Sequence, residues 1–209
     1  MTTFLLLRHA AHDTVGEVLS GRAPGVRLGP AGLAQARRLG ERLRGVGIAG
    51  LYCSPRERAV ETAQAVAAAC ALAAPRVVPA LDEIDFGAWS GRRFADLQQE
   101  PAWRLWNERR SLARTPNGEG MLDVQARAVA AMEAIAAERD SAAPATLALV
   151  SHADVIKAVV MYHLGLRIDD WWRLEIAPAS ITRLVVDAQG ARLAGLNEPV
   201  DGPAQGRAT

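Results

Sequence analysis

The sequence predicts an α/β fold: a three-layer α/β/α sandwich with a largely parallel central sheet. Two observations carry this. The runs "TFLLL" (3–7) and "TLALV" (146–150) are continuously apolar after their threonine yet too short for helices, the signature of strands buried on both faces. Stretches with helical spacing separate such runs along most of the chain, and alternating strands and helices favour a parallel sheet covered on both sides. With 209 residues, half of them hydrophobic, one sizeable core can form. A single domain over residues 1–198 is expected, followed by a loose polar tail over 199–209.

The first strand ends on Arg8 and His9. Gly29 and Pro30 then punctuate the chain before "AGLAQARRLGERL", where Leu33, Ala36, Leu39 and Leu43 recur at helical spacing, and Gly45 and Gly47 close that helix. "IAGLYC" reads as a second strand. It runs into Ser54, Pro55 and Glu57, an N-cap, first-turn proline and capping-box signature that puts Arg58 in the first turn of a second helix. A third strand is expected at "RVVPAL", then the acidic loop "DEIDFGAWSG". Helices are expected from about Arg93 to Leu112 and from about Leu122 to Arg139, divided by the turn-rich "TPNGEG". "TLALVSH" repeats the opening design, a strand ending on a histidine, here His152, and a helix runs from there to Gly165. "SITRLVVD" and "ARLAGLN" around Asp187 to Gly190 suggest a closing hairpin.

Composition narrows the function. The 24 basic and 23 acidic side chains nearly cancel, which argues against a nucleic-acid footprint or a polybasic membrane patch. Cys53 and Cys70 are too few for a disulfide framework and suit a reduced compartment. The N-terminal apolar run stops at Arg8, short of a signal segment, and no stretch reaches the roughly 18 apolar residues of a membrane span. The expectation is a soluble cytoplasmic protein, with a homodimer suggested by the apolar helices and "DDWWRLE".

In an open α/β sheet, ligands bind beyond the carboxyl ends of the strands. Three strand ends deliver Arg8 with His9, Arg58 and His152 to that edge. Such a group of cationic and potentially cationic side chains repels itself unless an anion sits among them. Arginine forks and a helix N-terminus match phosphate oxygens. A neutral imidazole can attack phosphorus, and a carboxylic acid is then needed to protonate the departing oxygen and to activate water. Glu83 is the first candidate for that acid, with Asp82 and Asp85 as rivals. Taken singly, each residue has a plainer role: a histidine after a strand commonly bonds its own loop, Arg58 could be a solvated helix residue, and Ser54 a cap. Their convergence on one edge is what structure alone does not require.

These segments resemble the histidine phosphatase superfamily, the phosphoglycerate mutase-like branch 1. Its R-H-G motif is matched by Arg8, His9 and Ala10; its S-P-x-x-R and T-A motif by Ser54, Pro55, Arg58, Thr62 and Ala63. Its E-x-x-F-G-x-W-x-G motif is matched by Glu83, Phe86, Gly87, Trp89 and Gly91, and its S-H by Ser151 and His152. The motifs run in order from the N-terminus to about residue 165. The resemblance implies phosphorylation of His9, a phosphoryl group held by Arg8, Arg58 and His152, Glu83 as proton donor, and neither metal nor cofactor. It further points to Ser20 and Gly21, and to Ala153, as substrate-binding positions.

The chain departs from that pattern at three places. Ala10 and Ala153 stand where glycines are usual, which would narrow the space beside the phosphate. Val15 and Gly16 stand where many members carry an asparagine, and His12 is a candidate replacement. The "EIDFGAWSG" segment and the compact chain resemble the phosphatase members and imply a small phosphorylated substrate. Arg109 and Arg110, about where mutases hold a substrate carboxylate, keep a mutase-type transfer open as the alternative, although a basic pair on a helix is ordinarily solvated. A phosphate-binding regulator without turnover would need the arginines but neither nucleophile nor acid. His12 with Asp13 could also be read as the H-D pair of metal-dependent phosphohydrolases, but the flanking segments are strand-like rather than helical. Trp89, Trp103 and Trp106 are expected to pack against the core.

Overall fold

The computed structural model describes residues 1–138 and 143–200. Among these residues a six-stranded sheet forms, built from β1 (Thr2–Arg8), β2 (Ile48–Cys53), β3 (Arg76–Val77), β4 (Ala145–Ser151), β5 (Ile181–Asp187) and β6 (Gly190–Glu198), in the order β3-β2-β4-β1-β5-β6. The first four strands run parallel; β5 and β6 close the sheet as an antiparallel hairpin. The fold is therefore α/β with a mostly parallel sheet.

Strand alternation divides the core between two faces. Phe4 and Leu6 of β1, with Leu147 and Leu149 of β4, pack on one side beneath α5 (Met121–Ala137) and α6 (Ala153–His163). Leu5 and Leu7, with Ala148 and Val150, pack on the other beneath α1 (Pro30–Arg42) and α2 (Glu57–Cys70). Successive strand residues thus serve opposite layers, and that is why both central strands are unbroken apolar runs over Phe4–Leu7 and Leu147–Val150.

Several expected boundaries move, each for a local reason. The third strand pairs only at Arg76–Val77, because Pro79 has no N–H to offer the ladder; Pro79–Leu81 forms a short 3-10 turn instead. The helix expected from Arg93 to Leu112 is split into α3 (Phe94–Leu97) and α4 (Pro101–Glu108), since Pro101 starts a new helix and forces Glu100 into an extended conformation. The helix α5 begins at Met121, where Asp123 accepts a hydrogen bond from the Gly120 amide at 2.9 Å; the Arg139 end expected for it lies outside the described residues. The tail expected from Pro199 likewise lies outside them from residue 201 onward.

Ser54 is not the cap of the second helix. Its amide still donates to Val150 at 2.9 Å as part of the sheet edge, and α2 starts at Glu57 with Arg56 as N-cap. Arg58 nevertheless falls in the first turn, as expected. Glu57 does not close a capping box; its carboxylate accepts from the Gly25 amide.

Trp89, Trp103 and Trp106 pack on one another, with Trp89 and Trp103 centroids 5.2 Å apart edge to face, and Trp89 and Trp106 fully buried. Both cysteines are free. Among the described residues no helix is long and apolar enough to cross a membrane.

Candidate active site

The central pair of strands sets the site. β1 and β4 are adjacent and in register, with Arg8 opposite Ser151, so His9 and His152 leave the sheet side by side and their rings lie 5.1 Å apart. α2 brings Arg58 between them. The loop after β1 is pinned to α1 by close approach: a Cβ on Gly32 would stand 1.8 Å from the Ala11 carbonyl, and Gln35 accepts from the Ala11 amide at 3.0 Å. A cavity of about 160 Å³ opens there, lined by Arg8, His9, Ser20, Gly21, Arg58 and Glu83 on its polar side.

Hydrogen bonds fix the histidine tautomers. His9 Nδ1 lies 2.7 Å from the Ala10 carbonyl, which can only accept, so Nδ1 carries the proton and Nε2 keeps a lone pair. Arg58 Nε donates to that lone pair at 3.3 Å. His152 Nδ1 faces Arg58 Nη2 at 3.3 Å and therefore accepts, which leaves its Nε2–H to donate to Ser54 Oγ at 2.7 Å. Ser54 in turn donates to Asp82 Oδ1 at 3.4 Å. The Ser54 hydroxyl thus orients a histidine in addition to meeting the Arg56 amide.

Burial then sets the charges. Desolvation, with the Arg58 and Arg8 charges behind it, holds His9 well below the ordinary imidazole range, and the same causes with His9 nearby hold His152 down. Desolvation and the same two arginines bring His12 to about 4. All three rings are neutral at pH 7. Desolvation pushes the Glu83 carboxyl up to about 7, Asp154 adds to the rise, and Arg58 opposes it. Burial also lowers both Arg8 and Arg58. Glu83 Oε2 stands 3.4 Å from His152 Nδ1 and 4.0 Å from Arg58 Nη2.

Three shielded donors on residues that line this cavity have no hydrogen-bond partner: Arg8 Nε, Ser20 Oγ and Arg58 Nη1. Buried donors are normally satisfied, so donors left open around one small cavity suit an oxygen-rich anion. Gly21, at φ +49°, turns its carbonyl onto Arg58 Nη2 at 2.8 Å and so aims the guanidinium.

The structure brings Arg8, His9, Ser20, Gly21, Arg58, Glu83 and Ala153 to one cavity, with His152 directly behind. Ala10 departs from expectation: its methyl is buried among Leu5, Leu7 and the α1 and α2 side chains, so it does not narrow the cavity. His12 does line the cavity, its ring stacked 5.8 Å from His9, whereas the Asp13 carboxylate lies against Gly29. Asp82 and Asp85, the rivals of Glu83, face away into an ion-pair network with Arg22, which Asp82 shares with Arg56. Arg110 is the clearest correction. It is 3% exposed, stacked 3.6 Å over Trp171 and ion-paired with Asp154 at 3.1 Å, because the aromatic cluster offers its flat cation a face. Arg109 is exposed.

Sequence reasoning missed the support of Glu83. Arg22 Nε and Arg127 Nη2 both donate to the Glu83 carbonyl, at 2.8 and 3.0 Å, and Glu119 bridges the two guanidiniums. Nothing local in the sequence marks Arg127 as a partner of residue 83. Asp154, two positions after His152, was within reach of the same strand-end logic and also lines the cavity.

The model of the histidine phosphatase superfamily (branch 1) matches residues 4–199. The chain belongs to that superfamily. The adenosylcobalamin/alpha-ribazole phosphatase of Escherichia coli (strain K12) is 29% identical over 195 residues, covering 92% of this chain and 94% of that protein. A "probable phosphoglycerate mutase" of Proteus mirabilis (strain HI4320) is 30% identical, over 88% and 85% of the two chains. Among solved structures, Bacillus stearothermophilus YhfR superposes with a TM-score of 0.86 at 28% identity, over 95% of this chain and 98% of that one. A mycobacterial glucosyl-3-phosphoglycerate phosphatase follows with 0.84 at 28% identity, over 94% and 98%. Phosphatases of this superfamily are thus among its relatives.

Proposed function

We propose that the protein is a metal-independent phosphomonoester hydrolase working through a phosphohistidine on His9. The single observation that carries this is the His9 imidazole: neutral, with its Nε2 lone pair held towards Arg58 at the edge of a cavity whose donors await an anion. Superfamily membership and the phosphatase relatives support the same reading.

The reaction divides into two displacements. Arg8, Arg58 and Ser20 hold the phosphate oxygens, and the dianion's charge favours protonated His152, which donates from Nδ1 to a phosphoryl oxygen. His9 Nε2 attacks phosphorus as the P–O bond to the alcohol breaks, and protonated Glu83 gives its proton to the departing oxygen. Glu83, now a carboxylate, takes a proton from water as that water attacks the phosphohistidine. Inorganic phosphate leaves, and His9 and Glu83 return to their starting states. Two easier transfers replace one difficult one.

The test is hydrolysis of phenyl phosphate in the presence of chelator by wild type and His9→Ala, with acid-labile phosphate sought on the protein. Turnover and a labelled His9, both lost in the variant, are expected. Turnover that survives in His9→Ala overturns the nucleophile. Phosphate passed only to a second hydroxyl identifies a mutase, and binding without turnover a regulator. The inward course of Arg110 favours the hydrolase, since that guanidinium is not free to take a substrate carboxylate.

A further inference from the structure

Beyond the phosphate-holding residues, the cavity lining includes two unlike groups. One is an apolar wall of Val15, Val18, Phe86 and Phe94. It is firmly built: Val18 pairs with Arg93 in an isolated bridge, Phe94 N donates to Glu17 O at 3.0 Å, and Leu19 N donates to Arg92 O at 2.8 Å. The other is Asp154, in the first turn of α6, whose side chain keeps 20% of its surface open. Arg110 holds Asp154 Oδ1 from behind and is itself fixed over Trp171, while Lys157 sits 4.8 Å over the same ring. Neither of these cations lines the cavity.

Of the charged groups that do line it, Arg8 and Arg58 serve the phosphate and Glu83 is protonated when it acts. The charge left for the alcohol portion of a substrate to meet is therefore that of Asp154. A helix N-terminus and a buried guanidinium hold that carboxylate in place.

Resting on the hydrolase reading, we propose that Asp154 is a specificity residue. With the apolar side chains that line the same cavity, it selects phosphomonoesters of aromatic or otherwise apolar alcohols, favours those carrying a cation or hydrogen-bond donor, and turns away those carrying a carboxylate. Phosphorylated hydroxy acids are poor substrates on this account, and aromatic or nucleoside-like alcohols good ones.

The experiment uses three substrates of matched leaving group: para-ethylphenyl, para-carboxymethylphenyl and para-aminoethylphenyl phosphate. kcat/KM is measured for wild type and Asp154→Asn. In wild type the carboxylated ester falls below the ethyl ester by about tenfold, the order that one like charge in a partly exposed site imposes. The aminoethyl ester matches or exceeds the ethyl ester. In Asp154→Asn that ranking collapses towards equality. The ratio is the readout, because Asp154 also acts on the Glu83 proton and absolute rates move with it. The wild-type series stands alone should the variant not fold. A carboxylated ester preferred by wild type would assign the cavity's field to Arg110 and Lys157 and overturn the proposal. So would equal rates for all three, or a ranking unchanged in Asp154→Asn; in each case the hydrolase reading survives. Absence of turnover with every ester overturns both together.

Discussion

Replacing Glu83 by glutamine should stabilise the protein at alkaline pH while disabling it. Burial lifts this carboxyl from an ordinary 4.5 to about 7. The folded chain therefore holds the proton more tightly than the unfolded chain does. The sign follows from linkage: the stabilisation is fully present below pH 4.5, falls away as pH rises through 7, and is gone above it. A difference of about 2.5 at about 1.36 kcal/mol per pH unit gives a loss of about 3 kcal/mol across that window. Glutamine is neutral throughout and escapes the loss. Urea unfolding of wild type and Glu83→Gln at pH 4.5 and pH 8.5 isolates the effect, since other titrating groups cancel in the difference. The variant should gain about 3 kcal/mol on wild type between the two conditions. A difference that stays constant with pH would refute the idea that Glu83 is held protonated by burial. The same variant should lose about a hundredfold or more in kcat on alkyl phosphates, whose leaving oxygens need a proton.

Other outcomes follow from the same geometry. The kcat/KM profile should hold level through mildly acidic pH, where His9 is already neutral, and decline above about 7 as Glu83 ionises; a stopped-flow or steady-state pH series checks both limbs. Arg127→Met releases the Glu83 carbonyl, so kcat should fall by about tenfold and the alkaline limb should move, whereas a merely structural role would leave that limb in place. Ser54→Ala leaves His152 Nε2–H without its acceptor and should cost about 1–3 kcal/mol in unfolding free energy, with weaker binding of orthovanadate or phosphate by calorimetry. Trp106→Ala empties the middle of the aromatic cluster and should cost about 3–5 kcal/mol by denaturant unfolding without changing the pH profile.

The parts of the molecule legible in the sequence are those written in local pattern. β1 and β4 announce themselves by unbroken apolar runs, because both faces of each are covered. Their polar continuations, Arg8 with His9 and Ser151 with His152, mark the sheet edge where the cavity forms. What sequence pattern conceals is partnership across distance. Ser54 carries every local feature of a helix cap, yet its hydroxyl serves His152, 98 residues later. Arg110 looks like surface decoration on a polar helix, but Trp106 and Trp171 supply aromatic faces that make its burial favourable. Arg127 looks equally ordinary and holds the backbone of Glu83. Helix breaks at Pro101 and the shortened β3 before Pro79 were open to prediction from the missing N–H alone, and the apolar spacing around them masks it.

The position of β4 between β1 and β2 has a consequence for how the protein is made. His152 follows His9 by 143 positions. At about 5–20 residues per second, about 7–30 s pass before the second histidine exists. During that interval β1 and β2 have no direct contact to make, because the strand that joins them has not been translated. The burial that keeps the imidazole neutral, the arginine between the rings and the proton on the carboxyl all depend on that late strand. On the hydrolase reading, the nascent chain therefore carries its nucleophile unarmed, and phosphate chemistry can begin only once β4 has paired between β1 and β2.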